Sequence, residues 1–316
     1  MPVQTAPAAA VFRRVGYHDC VTKTLNLIGP GRAGRTLGAL LARGGLCAVQ
    51  DVLGAGRATA EAAVAFIGAG RAVRTLGEMR AADFWLLTPP DAAIAPVAAA
   101  LAAAGCVRRG DIVFHCSGAL ASGILAPLSA AGASIASVHP LKSFADPAAA
   151  INTFPGTHCA AEGDSAALAV LAPLFEELGA QVAVIDPAGK TLYHAASVLV
   201  CNDLTALMEA GLRAYERAGL DRTTAQAMME PLVRETLDNI LRLGTVRALT
   251  GPVARGDADV VARQLAALQA MDARVADAYR ALGRIALELA QTQGGAPAAA
   301  LAAVADALKI SIKTNS

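Results

Sequence analysis

Residues 190–203, KTLYHAASVLVCND, put a histidine, a serine, a cysteine and an asparagine into an otherwise mostly apolar, helix-length run. At about 100° per residue on an α-helix, His194, Cys201 and Thr205 project within about 20° of one line. Ser197 then lies about 60° to one side and Asn202 about 80° to the other. A histidine on such a stripe can give or take a proton near neutral pH, and an asparagine can orient a substrate. The same side chains would equally serve as hydrogen-bonded polar groups on a buried helix face.

Three further stretches carry usable chemistry where an apolar run ends. VHPLKSF (138–144) offers His139 and Lys142 on a proline-shaped turn that could position an anionic or carbonyl substrate. HCSG (115–118) offers Ser117, with the Gly118 backbone, for a carboxamide or substrate oxygen; His115, preceded by Ile-Val-Phe, reads as a buried core histidine. TPPDAAI (88–94) offers Thr88, Pro89 and Pro90, or simply a proline turn in which Asp91 caps a helix from Ala92. A fourth stretch, GPVARGD (251–257), interrupts helical sequence; Asp257 reads as a helix cap and Arg255 as a cation for a carboxylate.

Positioning these groups requires elements, and the first half supplies an alternation. LNLIG, a glycine turn, a helix over about 33–43, Gly44-Gly45 and LCAVQDVL (46–53) make one βαβ unit. Further strands are expected at 83–88, 111–116, 133–139, 157–163 and 181–186, which implies a mainly parallel sheet covered on both faces. After Asp186 the pattern turns helical, over about 188–218, 222–243 and 257–291, with a last Ala-rich helix at 297–308 and a frayed end at 309–316. The expected divisions are a tail (1–23), a dinucleotide-binding domain (24–186) and an all-α domain (187–316).

GPGRAG (29–34) matches G-x-G-x-x-G directly after a strand and before a helix. Gly29 would make the tight turn, Gly31 would let the backbone approach a pyrophosphate and Gly34 would allow close helix–strand packing. Pro30, Arg32 and Ala33 complete the loop, and the helix N-terminus faces the phosphates with unpaired N–H groups. An echo at 68–77, GAGRAVRTLG, has valine in place of the third glycine and follows a helix-like run, so it reads as a helix-to-strand turn. The ribose position is less direct. Asp51 has about the right spacing for NAD but falls inside the second strand; if that strand ends near Leu53, Arg57 with Arg32 could hold a 2′-phosphate, which favours NADP over NAD. Alternatively Arg57 only solvates a helix start.

Bulk properties narrow the classes. Lys plus Arg number 27 against 26 Asp plus Glu, a net charge of +1, so no single-sign field draws nucleic acid or anionic lipid. Gly, Pro and charge interrupt the apolar runs, and residues 1–23 lack a signal-peptide pattern, so neither a membrane span nor secretion is expected. Six cysteines without C-x-x-C fit reduced thiols in a cytoplasm, and five histidines without metal-ligand spacing argue against a protein-held metal.

Taken together, GPGRAG, TPPDAAI, HCSG, VHPLKSF, the YHAASVLVCN helix and GPVARGD resemble a bacterial family with a Rossmann-like NADP-binding domain and a C-terminal helical domain of unknown function. The resemblance covers about residues 24–290. The layout is similar to that of pyrroline-5-carboxylate reductase, ketopantoate reductase, the 3-hydroxyacid dehydrogenases and deazaflavin-dependent NADP reductases. It implies a doubly wound α/β domain followed by a helical domain like the C-terminal one of 6-phosphogluconate dehydrogenase. It also implies hydride transfer to or from a small carbonyl, imine or hydroxy compound between the domains, and homodimerisation through the helical domain. The His-Pro of VHPLKSF resembles a substrate-side loop of prephenate-type dehydrogenases. In the similar enzymes the first long helix after the Rossmann domain carries a catalytic lysine, then an asparagine. Here His194 stands at the best-matching position with Asn202 two turns on, while Lys190 falls one turn early.

The leading expectation is therefore an NADP-dependent oxidoreductase whose small, anionic substrate sits between Ser117, His139 and His194. The competing one is an NADP(H)-binding sensor or scaffold that lacks hydride chemistry. A nucleotide-sugar or methyl-transfer enzyme on a Rossmann sheet fits the helical half less well.

Overall fold

The computed structural model describes residues 23–308; the expected tail, Lys23 apart, and the expected frayed end lie outside the described residues. Two compact units divide between Ser197 and Val198.

The first unit follows the expected alternation. In chain order it runs β1 (Thr24–Ile28), α1 (Arg32–Arg43), β2 (Ala48–Leu53), α2 (Arg57–Ile67), β3 (Arg71–Val73), β4 (Phe84–Leu87), α3 (Asp91–Ala104) and β5 (Ile112–His115). It continues with α4 (Ala126–Ala130), β6 (Ser134–Pro140), α5 (Pro147–Asn152), β7 (His158–Gly163), α6 (Ser165–Glu177), β8 (Gln181–Val184) and α7 (Lys190–Val198). The eight strands form one sheet in the order β3-β2-β1-β4-β5-β6-β7-β8. β3, only three residues long, lies in the echo sequence directly after the turn and is too short to show a period. The glycine-capped turn is as expected: Gly68 adopts a φ of 81° and its N–H returns to the Val64 carbonyl.

Apolar side chains cover both faces. Leu37 and Leu41 of α1, Phe114, Phe154 and Phe175 pack on one face; Trp85, Ile94, Leu101, Leu125 and Leu128 pack on the other. Each such burial contributes about 1.5–3 kcal/mol, which is why the central strands read as continuous apolar runs.

Two topological facts place the site. The chain winds outward from β1 to β2 and β3, then returns to β4 on the other side of β1, so the carboxyl ends of β1 and β4 part at a switch point. The loops after β1, β4, β5 and β6 all leave from that edge, because these strands are parallel. The β6–β7 pairing is antiparallel, with Ser137 opposite Glu162 and Pro140 opposite Cys159, and β8 runs parallel to β7. The β6–β7 connection carries only the six-residue α5, which packs on α1 and does not cross the sheet.

The unit boundary falls later than the expected 186/187. Asp186 caps a short 3₁₀ turn by accepting from the Ala188 N–H, but α7 begins with Lys190 buried among strand residues and so belongs to the sheet unit.

The second unit is helical: α8 (Leu204–Arg217), α9 (Arg222–Leu243), α10 (Thr245–Ala248), α11 (Pro252–Arg255), α12 (Ala258–Met271), α13 (Ala273–Gln293) and α14 (Ala298–Ala307). The expected single helix at 257–291 is two, because Asp272 turns extended and caps α13 through the Arg274 N–H. The segment 244–256, expected as a turn, contains α10 and α11. The apolar side chains of the helical unit form two small clusters, around Val261, Leu287 and Val304 and around Leu212 and Met229. Leu199, Val200, Met228, Leu232 and Leu241 remain exposed. One helix, Pro187–Arg217, is long and apolar enough by length and composition to cross a membrane, with a mean hydropathy of 1.3, although Lys190 ties its start to the sheet. This stretch departs from the expectation that Gly, Pro and charge interrupt the apolar runs.

Candidate active site

The glycine loop has the shape its motif requires. Gly29 adopts a φ of 74°, its N–H donates to the Leu53 carbonyl, and a side chain there would run into Pro89. A side chain at Gly34 would strike Thr88, whose hydroxyl donates to the Gly29 carbonyl at 2.8 Å. Gly31 differs: it is exposed, and a Cβ there would meet no atom nearer than 3.8 Å. The tight glycines thus join strand, helix and Thr88-Pro89, and the open one leaves the N-terminus of α1 accessible. That cradle fits a dinucleotide pyrophosphate. The Pro30 carbonyl accepts from Arg35 Nε, while Arg32 and Ala33 open α1. Pro90 caps α3, so Asp91 is the first residue of that helix and not its cap.

β2 ends at Leu53 as the cofactor argument required. Asp51 is fully buried and committed: Arg71 Nε and Arg80 Nη2 bind its Oδ1, at 3.0 and 2.8 Å, and the Arg80 N–H binds Oδ2. These contacts hold its carboxyl below the usual range despite burial, and leave it nothing for a ribose. Arg57, at the start of α2, is exposed and paired with Glu61 at 2.6 Å; that is the helix-surface alternative, although the guanidinium keeps donors free.

The strongest convergence lies at the ends of β5 and β6. His139 and His194 both rest against Gly118: a Cβ there would lie 2.8 Å from His139 Nε2 and would collide with the His194 ring. The two imidazoles are 6.0 Å apart, centroid to centroid. Tyr193 completes the group, its hydroxyl 3.0 Å from His139 Nδ1. Burial, then the charge of Lys190, then His194, push His139 down to about 4; burial pushes Tyr193 up to about 12, so it remains a phenol. Tyr193 was missed because an aromatic beside an apolar run reads as core.

Ser117 is near but engaged. Its hydroxyl donates to Asp91 Oδ2 at 2.9 Å and accepts the N–H groups of Ala119 and Leu120, so it shapes the loop that presents Gly118. The expectation that it binds a substrate or carboxamide oxygen is therefore replaced by this loop-shaping role. His115 is buried as expected, accepting the Ser117 N–H at Nδ1 and facing the Ala121 carbonyl at Nε2. Burial and Lys190 push it down to about 4. Lys142 turns away: its ammonium donates to the Thr153 carbonyl at the end of α5. Cys159 is pushed up to about 12 by burial and Cys116 also up, so neither thiol is a ready nucleophile.

The helical stripe does not survive intact. Residues Leu199–Asp203 form a π-helical turn, which resets the angular phase after Val198. Cys201 and Thr205 are thereby shifted off the line drawn through His194; Asn202, which lay to one side of it, is exposed in the second unit, and Thr205 bonds back to the Cys201 carbonyl. In the same unit Arg255 binds Asp257 at 2.8 Å, so Asp257 takes this guanidinium and makes no side-chain cap to α12.

A mainly parallel, doubly covered sheet with an open glycine cradle at its switch point, followed by a helical unit, defines a Rossmann-type dinucleotide-binding fold. The comparisons with known proteins give the particular domains. A Rossmann-like domain model matches residues 20–140, and a domain of unknown function, DUF2520, matches 157–286. The chain is thus a Rossmann-like protein with a C-terminal DUF2520 domain, as its motifs led one to expect. The DUF2520 match starts at β7, so that domain includes the antiparallel end of the sheet as well as the helices.

Among solved structures, protein TM1727 from Thermotoga maritima is similar at 27% identity and a TM-score of 0.69, over 85% of this chain and 99% of that one. A candidate NADP oxidoreductase, BF3122 from Bacteroides fragilis, aligns at 20% identity and a TM-score of 0.65, over 84% and 98%. An imine reductase variant from Myxococcus stipitatus, in complex with NAD+, aligns at 18% and 0.60, over 89% and 99%. At those two identities the likeness is one of fold. No curated protein matches the chain.

Proposed function

We propose that this protein is an NADP-dependent oxidoreductase acting on a small carbonyl, imine or hydroxy compound. The observation that carries the reading is the placement of His139 and His194 on either side of Gly118, at the sheet edge that also holds the open Gly31 cradle. Gly29, Gly31, Gly34 and the first turn of α1 would hold the pyrophosphate, Thr88 and Pro89 would line its inner side, and Arg57 would meet a 2′-phosphate. When bound, the nicotinamide supplies or accepts the hydride. His194 gives the matching proton in reduction, or takes it in oxidation. We assign the Tyr193 hydroxyl, 3.0 Å from His139 Nδ1, as the donor in that bond; the His139 proton then sits on Nε2, toward the space beside Gly118, as a donor to the substrate heteroatom. The fold of BF3122, described as a candidate NADP oxidoreductase, and that of the imine reductase support this class. An anionic substrate is no longer part of the reading, because Lys142 and Arg255, the cations put forward for it, are engaged within the chain.

The competing reading, an NADP(H) sensor, gains from one observation: Lys190 is buried and paired, so α7 offers no free lysine for the acid role that one has in similar enzymes. Incubation with NADPH and a panel of 2-oxo acids and imines separates the two, since a sensor binds the cofactor and oxidises none of it.

We further propose that the protein works as a homodimer joined through its helical unit, whose exposed leucines call for a second apolar face.

A further inference from the structure

Lys190 is only 1% exposed, and nothing in the chemistry above uses it. Its ammonium donates to Ser137 Oγ at 2.6 Å and lies 3.6 Å from Glu162 Oε1. Glu162, itself buried, accepts from both the N–H and the hydroxyl of Ser122, at 2.9 and 2.6 Å. Strand register puts these groups in one row: His115 on β5 is opposite Ser137 on β6, and Ser137 is opposite Glu162 on β7. His139 lies two residues beyond Ser137, hence on the same face of β6. The Ser137 hydroxyl in turn donates to the Ser117 carbonyl at 3.4 Å, next to Gly118.

A buried ion pair is a poor stabiliser, because removing two charges from water offsets most of their attraction, and an apolar pair of similar volume would anchor α7 equally well. Its place beneath the two strand histidines gives it a different use. We infer that the Lys190–Glu162 pair is a positioning device for the histidine site: it pins the start of α7, and with it Tyr193 and His194, to β6, and sets one buried positive charge under His139 and His115. The inference rests on the reading that His139 and His194 face the substrate.

The groups that face His139 are Lys190, Tyr193 and His194 from α7 and Asp91 from the start of α3. Burial and then Lys190 oppose its protonation, with His194 acting the same way and Asp91 against them. For His115 the order is again burial, then Lys190, with Asp91 opposing. Burial also lowers Lys190 itself, and Glu162 resists that change. The pair thus keeps His139 a fixed hydrogen-bonding group and leaves proton transfer to His194.

The test is an NMR titration of the histidine Cε1–H signals in the full chain without cofactor, assigned by single histidine-to-glutamine variants. In the folded K190M/E162Q variant, which leaves no unpaired buried charge, the His139 midpoint should rise by about one pH unit, and still fall short of the free value because burial persists. A folded double variant in which His139 and His115 titrate as in the wild type would overturn the inference. Should that variant not fold, K190M alone decides: loss of the positive charge should raise the His139 midpoint above that of the wild type, and a folded K190M with wild-type midpoints for both histidines sinks the inference. Because no NADPH is present, these results are independent of turnover. A chain with the low midpoints that oxidises no NADPH defeats the oxidoreductase reading and not the ion pair.

Discussion

His139 and His194 meet across a single glycine, with imidazole centroids 6.0 Å apart and Gly118 between them. Neither ring could keep its place if residue 118 had a side chain. Gly118→Ala should therefore displace both histidines and lower kcat about 10²-fold, the usual cost of a misplacement of about 1 Å. NADPH affinity, measured by fluorescence titration, should change little, because the glycine cradle is untouched; equal losses of kcat and affinity would mean that the loop collapsed.

Gly29 tests the cradle itself. Its φ of 74° and its closeness to Pro89 make Gly29→Ala both strained and overpacked. The expected loss is about 1–3 kcal/mol of stability, seen as a lower Tm, together with weakened NADPH binding.

Arg57 tests the choice of cofactor. Removing the guanidinium in Arg57→Ala should weaken NADPH binding about tenfold, or about 1.4 kcal/mol, and leave NADH unchanged. Equal effects on both cofactors would return Arg57 to its surface pair with Glu61.

Stability should fall in mild acid. His115 and His139 are both held down to about 4, against 6.5 for a free imidazole. Between those values the unfolded chain binds protons that the native chain refuses, so stability rises with pH there. Their contribution is complete above about 6.5 and is lost as pH falls toward about 4. Urea denaturation across that range checks the slope, and His139→Gln should flatten it.

The exposed leucines predict assembly. Sedimentation should give twice the chain mass of 31.9 kDa, and L232D/L241D should halve it. A wild type that sediments as a monomer would remove the dimer.

Much of the sheet was legible because buried parallel strands advertise themselves: LNLI, FWLL and IVFH are continuous apolar runs that end at the loops proposed for binding. β3 was not, since three residues show no period. The antiparallel β7 was legible as a strand but not in its direction, which depends on a connection that does not cross the sheet. Among site residues, the glycine loop and His139 and His194 could be named from context. Ser117 and Lys142 could not be judged, because their partners Asp91 and Thr153 are distant or of the wrong type to suggest pairing. Lys190 was discounted for its position one turn early; its burial against Ser137 and Glu162, both more than twenty residues away, has no local signature. The bearing of Asn202 on its helix could not be drawn, because a 3.6-residue period cannot foresee the π turn at Leu199–Asp203.

The most direct test of the account is whether bound NADPH is oxidised when the chain meets a panel of 2-oxo acids and imines, followed in parallel in the wild type and in His194→Ala. The account predicts that the wild type oxidises NADPH with at least one member, and that His194→Ala binds NADPH equally well and stalls. Saturable NADPH binding with no oxidation by any member, or undiminished turnover in His194→Ala, would contradict it.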